Sequence, residues 1–158
     1  NCIKEKKLMG TGGALLNAEK HIKTSYALIM NGDSFVEYDF HDYYRWHLEV
    51  GAQFSIVVKK TSDTSRYGLV KLSVDDRIIK FQEKAFYYES EKKYINAGVY
   101  LMGQQIFKKI PKKYPVSLEK EVFPSLLTEG VFGYRIDGHF IDIGTPRSLV
   151  EARSYFKL

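Results

Sequence analysis

The sequence predicts an α/β fold with a mixed, mainly parallel sheet, on three observations. Segments of helical period alternate with short apolar, β-branched runs of the buried-strand type. Those runs end in turn or cap residues. Two of them, far apart in the chain, end in an aspartate: Asp33 after Tyr26-Ala-Leu-Ile-Met30, and Asp142 after His139-Phe-Ile141. A carboxylate at the C-terminal end of a buried strand stands where open α/β sheets bind their ligands. Two that converge can share one Mg²⁺ and leave most of its octahedral positions to water and phosphate. Taken singly each has a plainer reading, Asp33 as a turn cap and Asp142 as a helix start.

Each element has its own signal. Gly10-Thr-Gly-Gly13 reads as a turn, and Ala14 to Ile22 as a helix with Ala14, Leu15, Ala18 and Ile22 near one face. Tyr26 to Met30 is a short buried strand, closed by Asn31-Gly32-Asp33. Phe40 to Val50 is helical, since Phe40, Tyr44, His47 and Leu48 follow the i, i+4, i+7, i+8 spacing. Phe54 to Val58 is β-branched and strand-like, and 66–74 with 78–81 reads as a hairpin around Asp75-Asp-Arg77. A polar, aromatic-rich connection over 86–93 leads to a strand, Tyr94 to Met102, with Gly98 inside it. Gln104 to Ile110 is a short helix closed by Pro111. Ser117 is an N-cap, with Glu119 in the first turn of a helix that runs to Glu129 and ends at Gly130. Val131 to Ile136 and His139 to Ile143 read as strands around an Asp137-Gly138 turn. Thr145-Pro146 is an N-cap followed by proline at the first helical position. Leu149, Ala152 and Phe156 then put an apolar stripe on the last helix.

Composition removes several function classes. The 158 residues are 44% hydrophobic and 15% aromatic, which suits a single globular domain rather than a disordered chain. No apolar run is long enough to span a bilayer, and no membrane partner is expected. The N-terminus lacks the apolar region of a signal peptide, and the one cysteine, Cys2, excludes an internal disulfide framework, so a cytoplasmic location is expected. The net charge of +5 and pI near 9.1 raise nucleic-acid binding. The lysines come as scattered pairs, from Lys6-Lys7 to Lys112-Lys113, without zinc spacing or an RNA-binding signature, so no nucleic-acid partner is expected. A mildly positive field suits anionic nucleotide and sugar-phosphate substrates.

The candidate motifs are modest one by one. Gly10-Thr-Gly-Gly13 at a helix start permits close approach of an anion to the backbone. It is neither the dinucleotide fingerprint nor a Walker loop, because Leu15 stands at the last fingerprint position and the Walker lysine is absent. Lys84, after Glu83 at the end of a hairpin strand, suits a phosphate as a point charge, or makes a surface ion pair. Gly98 within a strand marks close approach by a ligand or another backbone, and Tyr67-Gly68 has the same character. The four histidines show no metal spacing, and Cys2 has no partner base.

In order, the chain carries Leu8-Met-Gly-Thr-Gly-Gly-Ala14, Asn31-Gly-Asp33, Arg66-Tyr-Gly68, Phe81-Gln-Glu-Lys84, Ile95-Asn-Ala-Gly-Val-Tyr100 and Phe140-Ile-Asp-Ile-Gly-Thr-Pro146. This series resembles the sugar-phosphate nucleotidyltransferases, and most of all the guanylyltransferases of the mannose-1-phosphate and D-glycero-D-manno-heptose-1-phosphate type. The resemblance covers nearly the whole chain. It implies a Rossmann-like three-layer α/β/α sandwich, and a reaction that joins an NTP, GTP by preference, to a sugar 1-phosphate. It implies Gly12 and Gly13 against the nucleotide, Asp33 and Asp142 holding Mg²⁺, Gly68, Glu83 and Asn96 facing the sugar, and Lys84 its phosphate. Ala85 departs from the family's usual proline. The family's N-terminal glycine-rich loop, with its arginine and lysine, has no counterpart in these residues. On that resemblance, 1–158 is a single nucleotidyltransferase-like domain lacking its first βα units, about 60 residues, and the piece alone is expected to be inactive and to offer a strand edge for a homo-oligomer. A non-catalytic sugar-nucleotide-binding regulatory homologue is the alternative.

Overall fold

The computed structural model describes residues 2–61, 66–82 and 93–157. Glu83, Lys84, Ala85 and positions 86–92 of the expected connection lie outside these residues, while its last residue, Lys93, opens a strand. Eight strands are present among the described residues: β1 (Tyr26–Met30), β2 (Ser34–Val36), β3 (Phe54–Thr61), β4 (Leu69–Leu72), β5 (Ile78–Gln82), β6 (Lys93–Gly103), β7 (Val131–Ile136) and β8 (Phe140–Asp142). The α-helices among these residues are α1 (Gly10–Ala18), α2 (Phe40–Glu49), α3 (Gln104–Phe107), α4 (Phe123–Leu126) and α5 (Pro146–Phe156), with a π turn at Leu118–Val122 and a 3-10 turn at Leu127–Glu129 extending α4 on either side and a 3-10 turn at Glu19–His21 after α1.

Six strands make the main sheet in the order β5-β4-β6-β3-β7, with β1 also on β6. β6 is its spine. One edge pairs with β3 along nearly its whole length; the other pairs with β4 at Tyr94 and Ile95, and with β1 from Val99 to Gly103. β1, β3, β4 and β7 all run one way, and β6 and β5 run against them. The sheet is therefore mixed, as expected, but the parallel share is smaller than the element order suggests. The reversed strand sits in the middle, so among the described residues β3–β7 is the one parallel pair.

Both faces of this sheet are covered, which makes the expected three layers. On one face Phe54, Ile56, Tyr100, Met102 and Phe123 pack with Ile106, Val116 and Leu126 beneath α1, α3 and α4. On the other, Val57, Val99, Leu101 and Ile136 pack under Tyr43 of α2. β3 is buried from Phe54 to Val58, as befits a strand with helices on both sides. α2 forms because Asp39 caps it, accepting from the Asp42 N–H at 3.0 Å. Its buried face is turned from the expected stripe: of that stripe only His47 is inside, joined by Tyr43, while Phe40, Tyr44 and Leu48 stay exposed. The reason is polar. Ser55 Oγ lies 2.8 Å from Tyr43 Oη and 2.6 Å from His47 Nδ1, and the Leu101 N–H donates to Tyr43 Oη at 3.1 Å.

Three local expectations change. α1 starts at Gly10, not Ala14, because Gly12 and Gly13 are helical and packed against the 110–116 segment. The expected hairpin of β7 and β8 is absent; β8 pairs with β2 in a separate two-stranded sheet. There Gly138 approaches the Glu37 carbonyl, where a Cβ would stand 2.0 Å from the oxygen, and Glu37 N–H donates to His139 O at 2.8 Å. On α5, capped by Thr145 with Pro146 at its start, Ala152 and Ser148 are buried, while Leu149 and Phe156 remain partly exposed.

Candidate functional site

The fork in β6 creates the site. β4 and β1 leave the same edge of β6 in different places, and Asn96-Ala97-Gly98 lies between them. The strand is irregular there: pairing with β3 shifts register between Ile56 and Val58, and Gly98 has φ +74°. Asn96 Oδ1 accepts from the Gly98 N–H at 2.9 Å, and Asn96 Nδ2 donates to Tyr100 Oη at 2.9 Å. The Asn31 N–H donates to the Gly98 carbonyl at 2.8 Å. A cavity of about 720 Å³ opens over this fork, walled by Asn31, Asp33, Tyr67, Asn96, Phe140 and Asp142, with Thr11 and Glu119 also on its lining. A second cavity, about 590 Å³, shares Arg66, Tyr67, Phe140 and Asp142 and extends toward Lys59 and Arg147.

The two aspartates line the same cavity. Antiparallel pairing of β2 with β8 sets Ser34 opposite Asp142, and the Ile143 N–H donates to the Asp33 carbonyl at 2.8 Å. Asp33 is exposed on the cavity lining, and Ser34 Oγ reaches its Oδ1 only at 3.5 Å. Asp142 is more enclosed: Arg66 Nη2 donates to Oδ1 and Tyr67 Oη to Oδ2, each at 2.5 Å, and the Gly144 N–H to Oδ1 at 2.9 Å. Two carboxylates lining one cavity, Asp33 from the turn before β2 and Asp142 from the end of β8, are a hard-oxygen donor set that fits Mg²⁺ with water or phosphate completing the shell. No group of three or more His, Cys, Asp or Glu that would make an all-protein metal cage occurs among the described residues.

The remaining expected residues fall as follows. Asn96 lines the cavity. Gly68 is buried beside it, its carbonyl accepting from the Asn96 N–H at 2.9 Å. Gly12 and Gly13 are buried: a Cβ on Gly12 would meet Val116 O at 3.2 Å, and one on Gly13 would meet Tyr114 at 2.9 Å. Close packing is what these glycines serve here, and Thr11, just before them, reaches the cavity. Glu83 and Lys84 lie outside the described residues. Sequence reasoning passes over three cavity residues. Arg66 and Tyr67 enter it only as neighbours of Gly68, and Glu119 only as a helix-turn acid. Glu119 Oε2 accepts from Thr11 Oγ1 at 2.8 Å and Ser117 Oγ at 2.9 Å, which fixes it at the cavity rim. The signal for it is the Ser117 cap two residues earlier.

Mannose-1-phosphate guanylyltransferase of Mycobacterium tuberculosis is 30% identical over 151 residues, covering 94% of this chain and 42% of that protein. The mannose-1-phosphate guanylyltransferase catalytic subunit beta of Danio rerio is 33% identical over 150 residues, covering 92% and 41%. The crystal structure of HddC from Yersinia pseudotuberculosis superposes with a TM-score of 0.82 at 27% identity, over 96% of this chain and 64% of that one; HddC has also been solved with GMP-PN. The chain thus spans less than half the length of the curated relatives it matches. The family model described as nucleotidyl transferase matches residues 1–157, and the chain belongs to that family.

Proposed function

We propose that the protein carrying this chain is a sugar-1-phosphate nucleotidyltransferase, using GTP and a mannose- or heptose-type sugar 1-phosphate. The observation that carries this reading is that Asp33, in the turn before β2, and Asp142, at the end of the β8 strand paired with β2, line one cavity beside the forked β6. The guanylyltransferase relatives, and the neighbour solved with GMP-PN, support the choice of base.

A phosphate oxygen of the sugar 1-phosphate attacks the α-phosphorus of the triphosphate in line. A new P–O bond forms, and the bond to pyrophosphate breaks. No covalent enzyme intermediate is needed, so the protein's task is positioning and charge compensation. Asp33 and Asp142 would hold Mg²⁺, which when bound supplies charge neutralisation at the phosphates. Asn96 and Gly68, with Glu83, are assigned to the sugar, and Lys84 to its phosphate. Thr11, presented by the packed Gly12 and Gly13, is assigned to the nucleotide side with Glu119.

The test is a screen of the full-length gene product with four NTPs against a panel of sugar 1-phosphates, reading pyrophosphate release with Mg²⁺ and with EDTA. Metal-dependent release with GTP and a manno-configured sugar phosphate is expected. Release with another pair would keep the reaction and change the substrates. Nucleotide-sugar binding without turnover for any pair would favour a non-catalytic homologue.

A further inference from the structure

Asp142 is already ion-paired. Arg66 Nη2 and the Gly144 N–H both bond Oδ1, while Tyr67 Oη holds Oδ2. The Asp142 side chain is 13% exposed and that of Arg66 36%, so the pair stands at the boundary between the two cavities, and Arg66 lines both. A guanidinium is a permanent, delocalised cation that no physiological pH removes. A divalent ion held between Asp33 and Asp142 would need an Asp142 oxygen and would repel a guanidinium kept within bonding distance of that oxygen. The neutral Tyr67 hydroxyl carries no such conflict. The arginine has open cavity on two sides into which it can swing.

We infer that Arg66 is a displaceable internal cation, occupying Asp142 in the metal-free state and leaving it when a divalent ion binds. This rests on the metal reading of Asp33 and Asp142 given above. Arg66 thus keeps a carboxylate of the site neutralised and oriented without metal, and lowers the affinity for a divalent ion in the absence of nucleotide. It is a positioning residue that acts through Asp142.

The experiment is a Mn²⁺ titration of the full-length protein without nucleotide, followed by the EPR signal of free Mn²⁺. Wild type is compared with Arg66→Gln, Arg66→Lys, Asp142→Asn and the Arg66→Gln/Asp142→Asn double variant. Arg66→Gln is expected to bind Mn²⁺ roughly three- to tenfold more tightly, the range for losing one partly exposed competing ion pair. Arg66→Lys, which keeps a charge but loses the planar fork, is expected to fall between. The gain is expected to shrink at high salt. A residue serving only to hold the loop would weaken metal binding, or leave it unchanged, when replaced. Equal or weaker binding by Arg66→Gln, with binding lost in Asp142→Asn, overturns the inference and leaves the metal site standing. Undiminished binding in Asp142→Asn and the double variant, or none by wild type and both Arg66 variants, overturns the metal reading and this inference together. Arg66 is surface-exposed, and matched melting curves establish that its variants are folded. Should Arg66→Gln fail that control, Arg66→Lys decides by the same rule: tighter binding supports the inference, and equal or weaker binding overturns it.

Discussion

Asn31 and Gly98 close on each other across the fork in β6: the Asn31 N–H donates to the Gly98 carbonyl, and Asn31 Nδ2 lies 2.6 Å from where a Cβ on Gly98 would stand. Gly98 also has φ +74°, a region that costs an L-residue roughly 1–2 kcal/mol. The glycine thus serves two demands at once, a left-handed backbone and a side chain laid flat on it. Gly98→Ala is expected to destabilise the fold by about 2–3 kcal/mol, strain and steric contact together. It should also displace Asn31 from the cavity wall. Gly32→Ala is the control, since a Cβ there would meet nothing within 4 Å and its φ is ordinary. Denaturant unfolding of the two variants checks the difference; equal stability would mean that Gly98 is not constrained as described.

Asp33→Asn and Asp142→Asn in the full-length protein should each lower turnover sharply while leaving the melting transition in place. Each removes one of two negative charges at a site suited to a dication. The Asp142 variant carries a second effect, because it also unpairs Arg66. It should therefore be slightly the less stable of the two. Turnover and metal dependence near wild type in either variant would remove that aspartate from the site.

The aspartates were legible because each follows a recognisable strand run, Asp33 in the turn after β1 and Asp142 closing β8, and so was the close approach at Gly98, because a glycine inside an apolar run has few other uses. What was not legible is which strands pair. Nothing local in Phe140-Ile-Asp142 distinguishes a hairpin with β7 from a bridge to Ser34-Phe35-Val36, a three-residue strand that gave no signal of its own. That pairing is long-range, and it is what brings Asp33 to Asp142. The rotated face of α2 was hidden for a different reason. Periodicity ranks residues by hydrophobicity and places His47 but not Tyr43 on the stripe, whereas Tyr43 is inside because Ser55 and the Leu101 N–H satisfy its hydroxyl.

His47 sets an acid limit on stability. Its ring is fully buried, and among the described residues Nε2 has no hydrogen-bond partner. Burial pushes its pKa down to about 4. Above the ordinary value of about 6.5 the ring is neutral in both folded and unfolded chains, and His47 does not penalise folding. As pH falls from there toward 4, the unfolded chain takes up the proton first, so stability declines across that window and levels off below it. The loss expected from this one group is on the order of 3 kcal/mol. His47→Gln should flatten the stability-against-pH curve between 6.5 and 4, at some cost in stability at pH 7. An unchanged slope in the variant would assign the acid sensitivity elsewhere.

The last expectation concerns the outer edge of β1. β1 pairs with β6 along one edge, and among the described residues no strand pairs with the other. Side chains alternate along it: Ala27 and Ile29 join the core under α1 and α3, whereas Tyr26 turns its ring edge to Tyr44 and His47 of α2. Leu28 and Met30 share the Tyr26 face and are 41% and 52% exposed. Phe40, Tyr44 and Leu48 of α2 are exposed too, so an apolar surface lies next to an unpaired edge. Such an edge recruits strands, and an apolar patch beside it strengthens the contact. The 158 residues expressed alone should therefore self-associate in the micromolar range or above. Leu28→Lys with Met30→Lys should suppress that association, because charge on an edge strand blocks pairing while leaving the half-buried Ala27 and Ile29 side untouched. Sedimentation velocity over a concentration series measures both. A monodisperse monomer for the unmodified chain, or association unaltered by the two lysines, would show that the β1 edge is not the adhesive surface.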